Sequence, residues 1–228
     1  MQVSVIIPAL NEAESIAQVL AAIPTTHLLE ILVIDGASSD GTPKIAARYG
    51  ARVVHEPRRG YGQACYTGTI QAQGEIVAFL DADGADDPRQ LPELIKPLLL
   101  AEAEMVLGSR LVGKIQPGAM PWHQRTGNWL AAQLIRRLYR LPLTDLSPFR
   151  AVLRAELLGL NMTDMTYGWP TEMIVKAAQS GWRVREVQVA YHPRRAGRSK
   201  ISGTFKGTIL AAYYIISTIL RYALRGVI

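Results

Sequence analysis

Apolar positions along the chain alternate between short runs and helical repeats. Residues 3–7 and 31–34 are β-branched runs, and between them Ile16, Val19, Leu20 and Ile23 recur at helical spacing in a segment that begins at Glu14. A second helix is predicted over 44–49, a strand at 52–54, and a helical stretch ending at Gln73. Residues 76–80 are continuously apolar between Gly74-Glu75 and a charged turn, the pattern of a strand buried on both faces of a mostly parallel sheet. Residues 91–100 then read as a helix and 105–107 as a strand. This alternation predicts an α/β fold, an open sheet with right-handed crossovers.

In the second half, Trp122–Tyr139 reads as a helix and residues 145–150 as a turn before another helix. A helix running to Ser180 follows Gly168-Trp169-Pro170-Thr171-Glu172, and Val184–Tyr191 is strand-like. Residues 208–220 are almost uncharged, between Lys206 and Arg221. That run is shorter than the ~20 residues a spanning helix needs. Apolar nearly all round, it must be covered by something. One cover is a membrane interface with Lys206, Arg221 and Arg225 at the headgroups, and the other is packing against the domain or a second copy of the chain.

A length of 228 residues suits one domain, here 1–204, with 205–228 as an apolar and basic helical appendage. Residues 1–10 lack a basic start and run into Pro8 and Asn11-Glu12, so they read as a first strand and not a secretory signal. The lone Cys65 allows no internal disulfide and suits a reducing compartment. The net charge of +6 is uneven, with Arg194, Arg195, Arg198, Lys200, Lys206, Arg221 and Arg225 crowded toward the end. That asymmetry implies an anionic partner such as a lipid phosphate or membrane surface. No recognition-module pattern accompanies the charge, which argues against nucleic acid.

Candidate chemistry gathers after the strands, where open α/β sheets bind their ligands. Asp81-Ala82-Asp83 puts two carboxylates at one strand tip, a pair suited to Mg²⁺ or Mn²⁺ whose remaining ligands are water and diphosphate oxygens. The plainer alternative is a solvated turn, with Asp86 or Asp87 capping the helix after Pro88. Pro8-Ala9-Leu10-Asn11-Glu12 follows the first strand, and Asp35-Gly36-Ala37-Ser38-Ser39-Asp40-Gly41-Thr42 follows the second, a loop suited to a nucleotide. Within it Asp40-Gly41 alone reads as a plain turn. Neither G-x-G-x-x-G nor the Walker lysine is present, so neither a Rossmann dehydrogenase nor a P-loop enzyme is supported. The loop at Arg58-Arg59-Gly60-Tyr61-Gly62 offers close backbone approach and arginines for phosphate, or simply a solvated surface. Arg110, closing Gly108-Ser109-Arg110, is placed to pair either with carboxylates or with a diphosphate.

In this order and spacing, Pro8 to Glu12, Asp35 to Ser38, Asp81-Ala82-Asp83 and Gly108-Ser109-Arg110 resemble the inverting nucleotide-sugar glycosyltransferases of family two, which have the GT-A fold, a Rossmann-like, mostly parallel sheet flanked by helices. The resemblance implies that Pro8, Leu10, Glu12 and Asp35 line the nucleotide pocket. It implies that Asp81, Ala82, Asp83 and Arg110 meet the diphosphate and that Asp81 and Asp83 hold the metal. Arg194-Arg195-Ala196-Gly197-Arg198-Ser199-Lys200 is similar to the R-x-x-G-x-S-K segment of polyprenyl-phosphate mannose and glucose synthases. Arg194 and Lys200 thereby acquire an expected role, holding the donor diphosphate and a lipid phosphate.

The expected reaction is transfer of a hexose from GDP-mannose or UDP-glucose to a polyprenyl phosphate with inversion, by an enzyme peripheral at the cytoplasmic face of a membrane. A phosphate monoester is already anionic and needs positioning and charge screening, which an Arg/Lys cluster supplies. A hydroxyl acceptor would instead need a general base, for which Asp145 and Glu172 are the candidates, the alternative for each being a structural ion pair or cap. A non-catalytic nucleotide-binding scaffold is a further alternative. Two departures from the lipid-linked pattern stand out. Ala85 occupies the place of a Gln that assists at the metal, so that either Asp86 takes over or water completes the site. Residues 145–150 also differ from the mannose synthases, which bears on donor and acceptor identity.

Overall fold

The computed structural model describes residues 1–194 and 205–225, with side chains of the last helix described for 212–224. The chain begins with β1 (Val3–Ala9), α1 (Ile16–Ala21), β2 (Leu28–Asp35), α2 (Thr42–Arg48), β3 (Arg52–His55) and α3 (Tyr61–Gln71). It continues through β4 (Ile76–Phe79), a 3-10 turn at Pro88–Gln90, α4 (Leu91–Leu99), β5 (Met105–Ile115) and α5 (Trp122–Tyr139). The last elements are β6 (Arg150–Leu153), α6 (Arg154–Gly159), α7 (Trp169–Gln179), β7 (Val184–Tyr191) and α8 (Phe205–Arg225).

Seven strands form one sheet in the order β3-β2-β1-β4-β6-β5-β7. The chain builds outward from β1 through β2 to β3 and then returns to the other side of β1 with β4, both neighbours parallel to it. The crevice therefore opens beyond the carboxyl ends of β1, β2 and β4, where the strand order reverses. Strand β4, Ile-Val-Ala-Phe, is buried at every position, as its continuous apolar run predicts.

Two strand features depart from the sequence reading. Between the turn read at 145–150 and the helix that follows it stands β6, which starts at Arg150 and runs antiparallel to both β4 and β5. Its four residues are too few to show a period, and it opens on an arginine. Strand β5 extends to Ile115, well past the predicted end, because its second half pairs with β7 after a break in register between Ser109 and Lys114. Beyond Arg110 that half alternates between partly buried and exposed positions, a weaker signal than the buried half.

One apolar core lies on each face of the sheet. Helices α1 and α4 cover Val5, Ile7, Ala78 and Val106 on one side. On the other, α3, α5, α7 and α8 cover Ile6, Ile34, Val77 and Phe79, and Trp169 meets the Phe79 ring edge-on at 5.0 Å. Helix α8 belongs to this second layer through Ile219 and Tyr222. No helix among the described residues is long and apolar enough to cross a membrane.

Candidate active site

The turn after β4 carries the two carboxylates. Leu80 still bonds to β1, its N–H donating to Ile6 O at 3.1 Å, and the chain then leaves the sheet through Asp81-Ala82-Asp83-Gly84. Gly84 sits at φ 72°, in the left-handed region, and Ala85 N donates to Asp83 Oδ1 at 2.9 Å, closing the turn. Tyr61, at the start of α3, donates its hydroxyl to Asp81 Oδ1 at 3.2 Å. Burial, reinforced by the charge of Asp83, raises the Asp81 carboxyl above the usual carboxylate range, against the opposing pull of Tyr61, Arg110 and Arg194.

Two neighbouring half-buried carboxylates form a donor set that a divalent cation would neutralise. No group of three or more His, Cys, Asp and Glu side chains is gathered to hold a metal among the described residues. The set therefore suits a hard cation completed by water and phosphate oxygens. Asp86 is 1% exposed, and neither of its carboxylate oxygens has a hydrogen-bond partner among the described residues. Burial raises its pKa, with Arg110 opposing, and its backbone bridges to Tyr191. Capping falls to Asp87, which accepts from Arg89 N at the 3-10 turn.

The loops after β1 and β2 are stitched into one wall. Asn11, at φ 52°, donates its N–H to Ser38 Oγ and accepts from Ser39 N at 2.8 Å. Ala13 N donates to Asp40, Glu12 N donates to Thr42 Oγ1, and Asp40 also accepts from Thr42 N. Asp40 is thus a clamp between loops, a stronger role than the plain turn read from Asp40-Gly41. Asp35 is nearly buried at the tip of β2, accepts from Ser38 N at 3.3 Å and lies 3.5 Å from His55 Nδ1. Pro8 lies beside Ile34 in the sheet register, Leu10 remains exposed at the rim, and Ala82 is buried behind the carboxylates.

Arg110 takes the carboxylate option, with a partner other than the Asp81–Asp83 pair. Its Nε and Nη2 donate to Asp145 at 2.7 and 2.9 Å, and its backbone N–H donates to the same carboxylate. The guanidinium also lies 5.0 Å from the centre of the Tyr191 ring. Burial pulls its pKa down, but the Asp145 charge outweighs this and keeps it cationic; burial raises Asp145, and Arg110 more than reverses that. Arg110 is thereby a fixed positive charge beside the crevice, felt by Asp81 and Asp86.

Arg194 spans the crevice. Its Nη1 lies 3.1 Å from Asp83 Oδ2 and its Nη2 donates to Glu12 Oε1, so one guanidinium joins the wall after β1 to the turn after β4. The resemblance set all three residues around one donor; their direct contact with one another is what the structure adds. Lys200, the other basic residue expected here, lies outside the described residues.

Glu172 and Asp145, the candidate bases for a hydroxyl acceptor, are both fully buried and engaged. Glu172 accepts from Thr163, Asp164 N and Tyr222, and Lys176 lies 2.9 Å away. Burial would raise its pKa, but these bonds bring it down to about 2. Neither carboxylate is placed to take a proton from an acceptor.

Sequence reasoning assigned no role to Tyr61, Tyr191 or Arg150. Tyr61 is positioned by its flanking glycines: a Cβ on Gly62 would come within 2.5 Å of Asp164 O and 2.7 Å of Trp169 Cβ. The close approach expected of this loop is therefore to residues 164–169 of the chain itself. Arg150, 1% exposed, donates to Pro170 O at 2.7 Å and to Ser147 O, and burial lowers its pKa to about 10. It ties the loop that carries Asp145 to the start of α7. The glycine spacing and the Ser-Pro-Phe-Arg turn are the signals that mark these positions.

The model of "Glycosyl transferase family 2" matches residues 4–159. An uncharacterised glycosyltransferase of Mycobacterium tuberculosis is 44% identical over 213 residues, covering 92% of this chain and 94% of that protein. The undecaprenyl-phosphate mannosyltransferase of Micrococcus luteus is 30% identical over 224 residues, 91% of this chain and 90% of that one. Among solved structures, glucosyl-3-phosphoglycerate synthase from M. tuberculosis, in complex with Mn²⁺, UDP and glucosyl-3-phosphoglycerate, is similar with a TM-score of 0.78 and 26% identity, covering 97% of this chain and 80% of that one.

Proposed function

This chain belongs to glycosyl transferase family 2, and from that premise we propose that it transfers a hexose from a nucleotide sugar to a polyprenyl phosphate, with inversion at the anomeric carbon. The observation that carries this reading is Arg194, the first residue of a basic segment, lying between Glu12 of the nucleotide wall and Asp83 of the carboxylate pair. The relative that acts on undecaprenyl phosphate supports the same acceptor class.

In this reading Pro8, Leu10, Glu12 and Asp35 border the nucleotide, and Ala82 backs the diphosphate. Asp81 and Asp83 hold Mg²⁺ or Mn²⁺, with Asp86 close enough to add charge to the site. The cation supplies positive charge to the departing nucleoside diphosphate. Arg110, locked by Asp145, adds a pre-oriented charge that needs no rearrangement during reaction. Arg194 exchanges its carboxylate partners for phosphate oxygens of donor and acceptor, and Lys200 assists from the same segment. The acceptor phosphate oxygen attacks the anomeric carbon without surrendering a proton, consistent with Asp145 and Glu172 being committed elsewhere. Residues 1–204 carry the catalytic unit, and 205–228, of which α8 is the described part, are appended to it.

A second reading follows from the likeness to glucosyl-3-phosphoglycerate synthase: a small phosphorylated acceptor in place of the lipid. The test is release of nucleoside diphosphate from a panel of GDP- and UDP-sugars with Mn²⁺, in the presence of a short polyprenyl phosphate, 3-phosphoglycerate, or neither. Lipid-dependent turnover supports the proposal. Turnover with 3-phosphoglycerate alone replaces it with the second reading.

A further inference from the structure

Helix α8 carries two apolar stripes. Ile215, Thr218, Ile219 and Tyr222 face the domain, where Tyr139 donates its hydroxyl to Ile219 O and Tyr222 donates to Glu172. Tyr213, Ile216, Leu220 and Leu224 form a second stripe at helical spacing, and all four are exposed, Leu224 to 74%. The neighbouring α5 does the same: Ala131, Ala132 and Ile135 are buried, while Trp122, Trp129, Leu130 and Leu138 are exposed, Trp122 to 78%. The two helices pack on each other, which concentrates exposed large apolar side chains on one layer of the molecule.

Charge decides what covers this layer. Residues 105–144 contain no Asp or Glu, and neither do residues 187–228. On α5, Arg125, Arg136 and Arg137 are exposed among the tryptophans and leucines, and on α8 Arg221 is exposed beside Leu220. A two-fold contact between copies would set this acid-free surface against itself, arginine facing arginine with no acid to pair. An anionic bilayer instead offers acyl chains to the leucines, the interfacial zone to the indoles and headgroup phosphates to the arginines.

We propose that the outer faces of α5 and α8 together form a docking surface for an anionic lipid membrane. The active site is joined to both helices: α5 follows β5, which carries Arg110, through residues 116–121, and α8 follows Arg194 through residues 195–204. The biological purpose of the docking rests on the lipid-phosphate reading, while its physical basis does not.

The test is co-sedimentation of the full chain with vesicles of phosphatidylcholine, with and without phosphatidylglycerol, at low and high salt. We expect binding only to anionic vesicles, weakened by salt, with a blue shift in tryptophan emission that disappears in a Trp122→Gln/Trp129→Gln variant. Arg136→Glu/Arg137→Glu is expected to lower partitioning roughly 30-fold or more. Nucleotide binding and thermal unfolding of both variants should match the parent. Absence of binding to anionic vesicles at low salt overturns the proposal. So does a dimer seen by light scattering and dissociated by the same substitutions, or equal binding to a single-stranded oligonucleotide. Transfer to a short, water-soluble polyprenyl phosphate separates the two readings: transfer without vesicle binding removes only the docking surface, and vesicle binding without transfer removes only the lipid-phosphate acceptor.

Discussion

The guanidinium of Arg194 lies 3.1 Å from the carboxylate of Asp83 while its other arm reaches Glu12. A cation from the chain itself thus rests against the carboxylates proposed to hold a divalent ion. Donor binding must divide these negative charges between the metal and the arginine.

Asp83→Asn removes one of the two acids from this balance. Nucleoside diphosphate release should fall roughly 100-fold or more, since a ligand of the cation is lost and with it the hold on the positive charge that faces the leaving group. Chelation of the metal in the parent protein should produce a comparable loss, reversed by added Mn²⁺. Retention of full activity by Asp83→Asn would exclude the proposed role of the pair.

Arg194→Lys keeps the charge but not the fork. A point ammonium cannot hold Glu12 and Asp83 in the same way or meet two phosphates in one plane. The expected loss in kcat/KM for the acceptor is about 10-fold, equivalent to about 1.4 kcal/mol, and larger for Arg194→Ala. Saturation kinetics with varied acceptor will read this directly.

Arg110 and Asp145 form a buried bidentate pair. Asp145→Ala strands the guanidinium in the interior, and removing one partner of such a pair costs about 3–5 kcal/mol. Chemical denaturation should show that loss together with reduced turnover. The reverse substitution, Arg110→Met, should destabilise as well, because it strands Asp145.

Glu172 links α8 to the domain and carries a pH signature. Its folded carboxyl is lowered from 4.5 to about 2, so its stabilising contribution is complete above about pH 4.5 and is lost as pH falls toward about 2. Acid unfolding followed by circular dichroism should steepen in that window. Glu172→Gln should lower stability at neutral pH and flatten this part of the profile, and Tyr222→Phe should do so in part.

Apart from β6, the order of strands and helices was legible from the chain, as were the carboxylates at the end of β4 and the loops after β1 and β2. Each rests on local information: a run of apolar residues long enough to show its period, bounded by residues that leave the sheet. Strand β6 lacked that signal, because four residues beginning with a buried arginine show no periodicity until β4 and β5 flank them. Arg110 illustrates a different limit. It was read at a strand tip, whereas β5 continues past it to Ile115, and its choice of Asp145 depended on a loop 35 residues further on folding back against it. The pairing of Arg194 with Glu12 and Asp83 depended on longer separations still. For α8, composition required that its apolar surface be covered, and packing divided that surface between Glu172-anchored burial and an exposed stripe. Hydrophobic period is carried by neighbours in the chain and so is written in the sequence. The partner of a charge is chosen by proximity in space and by the loss of water around it, and both exist only once the sheet and its covering helices have assembled.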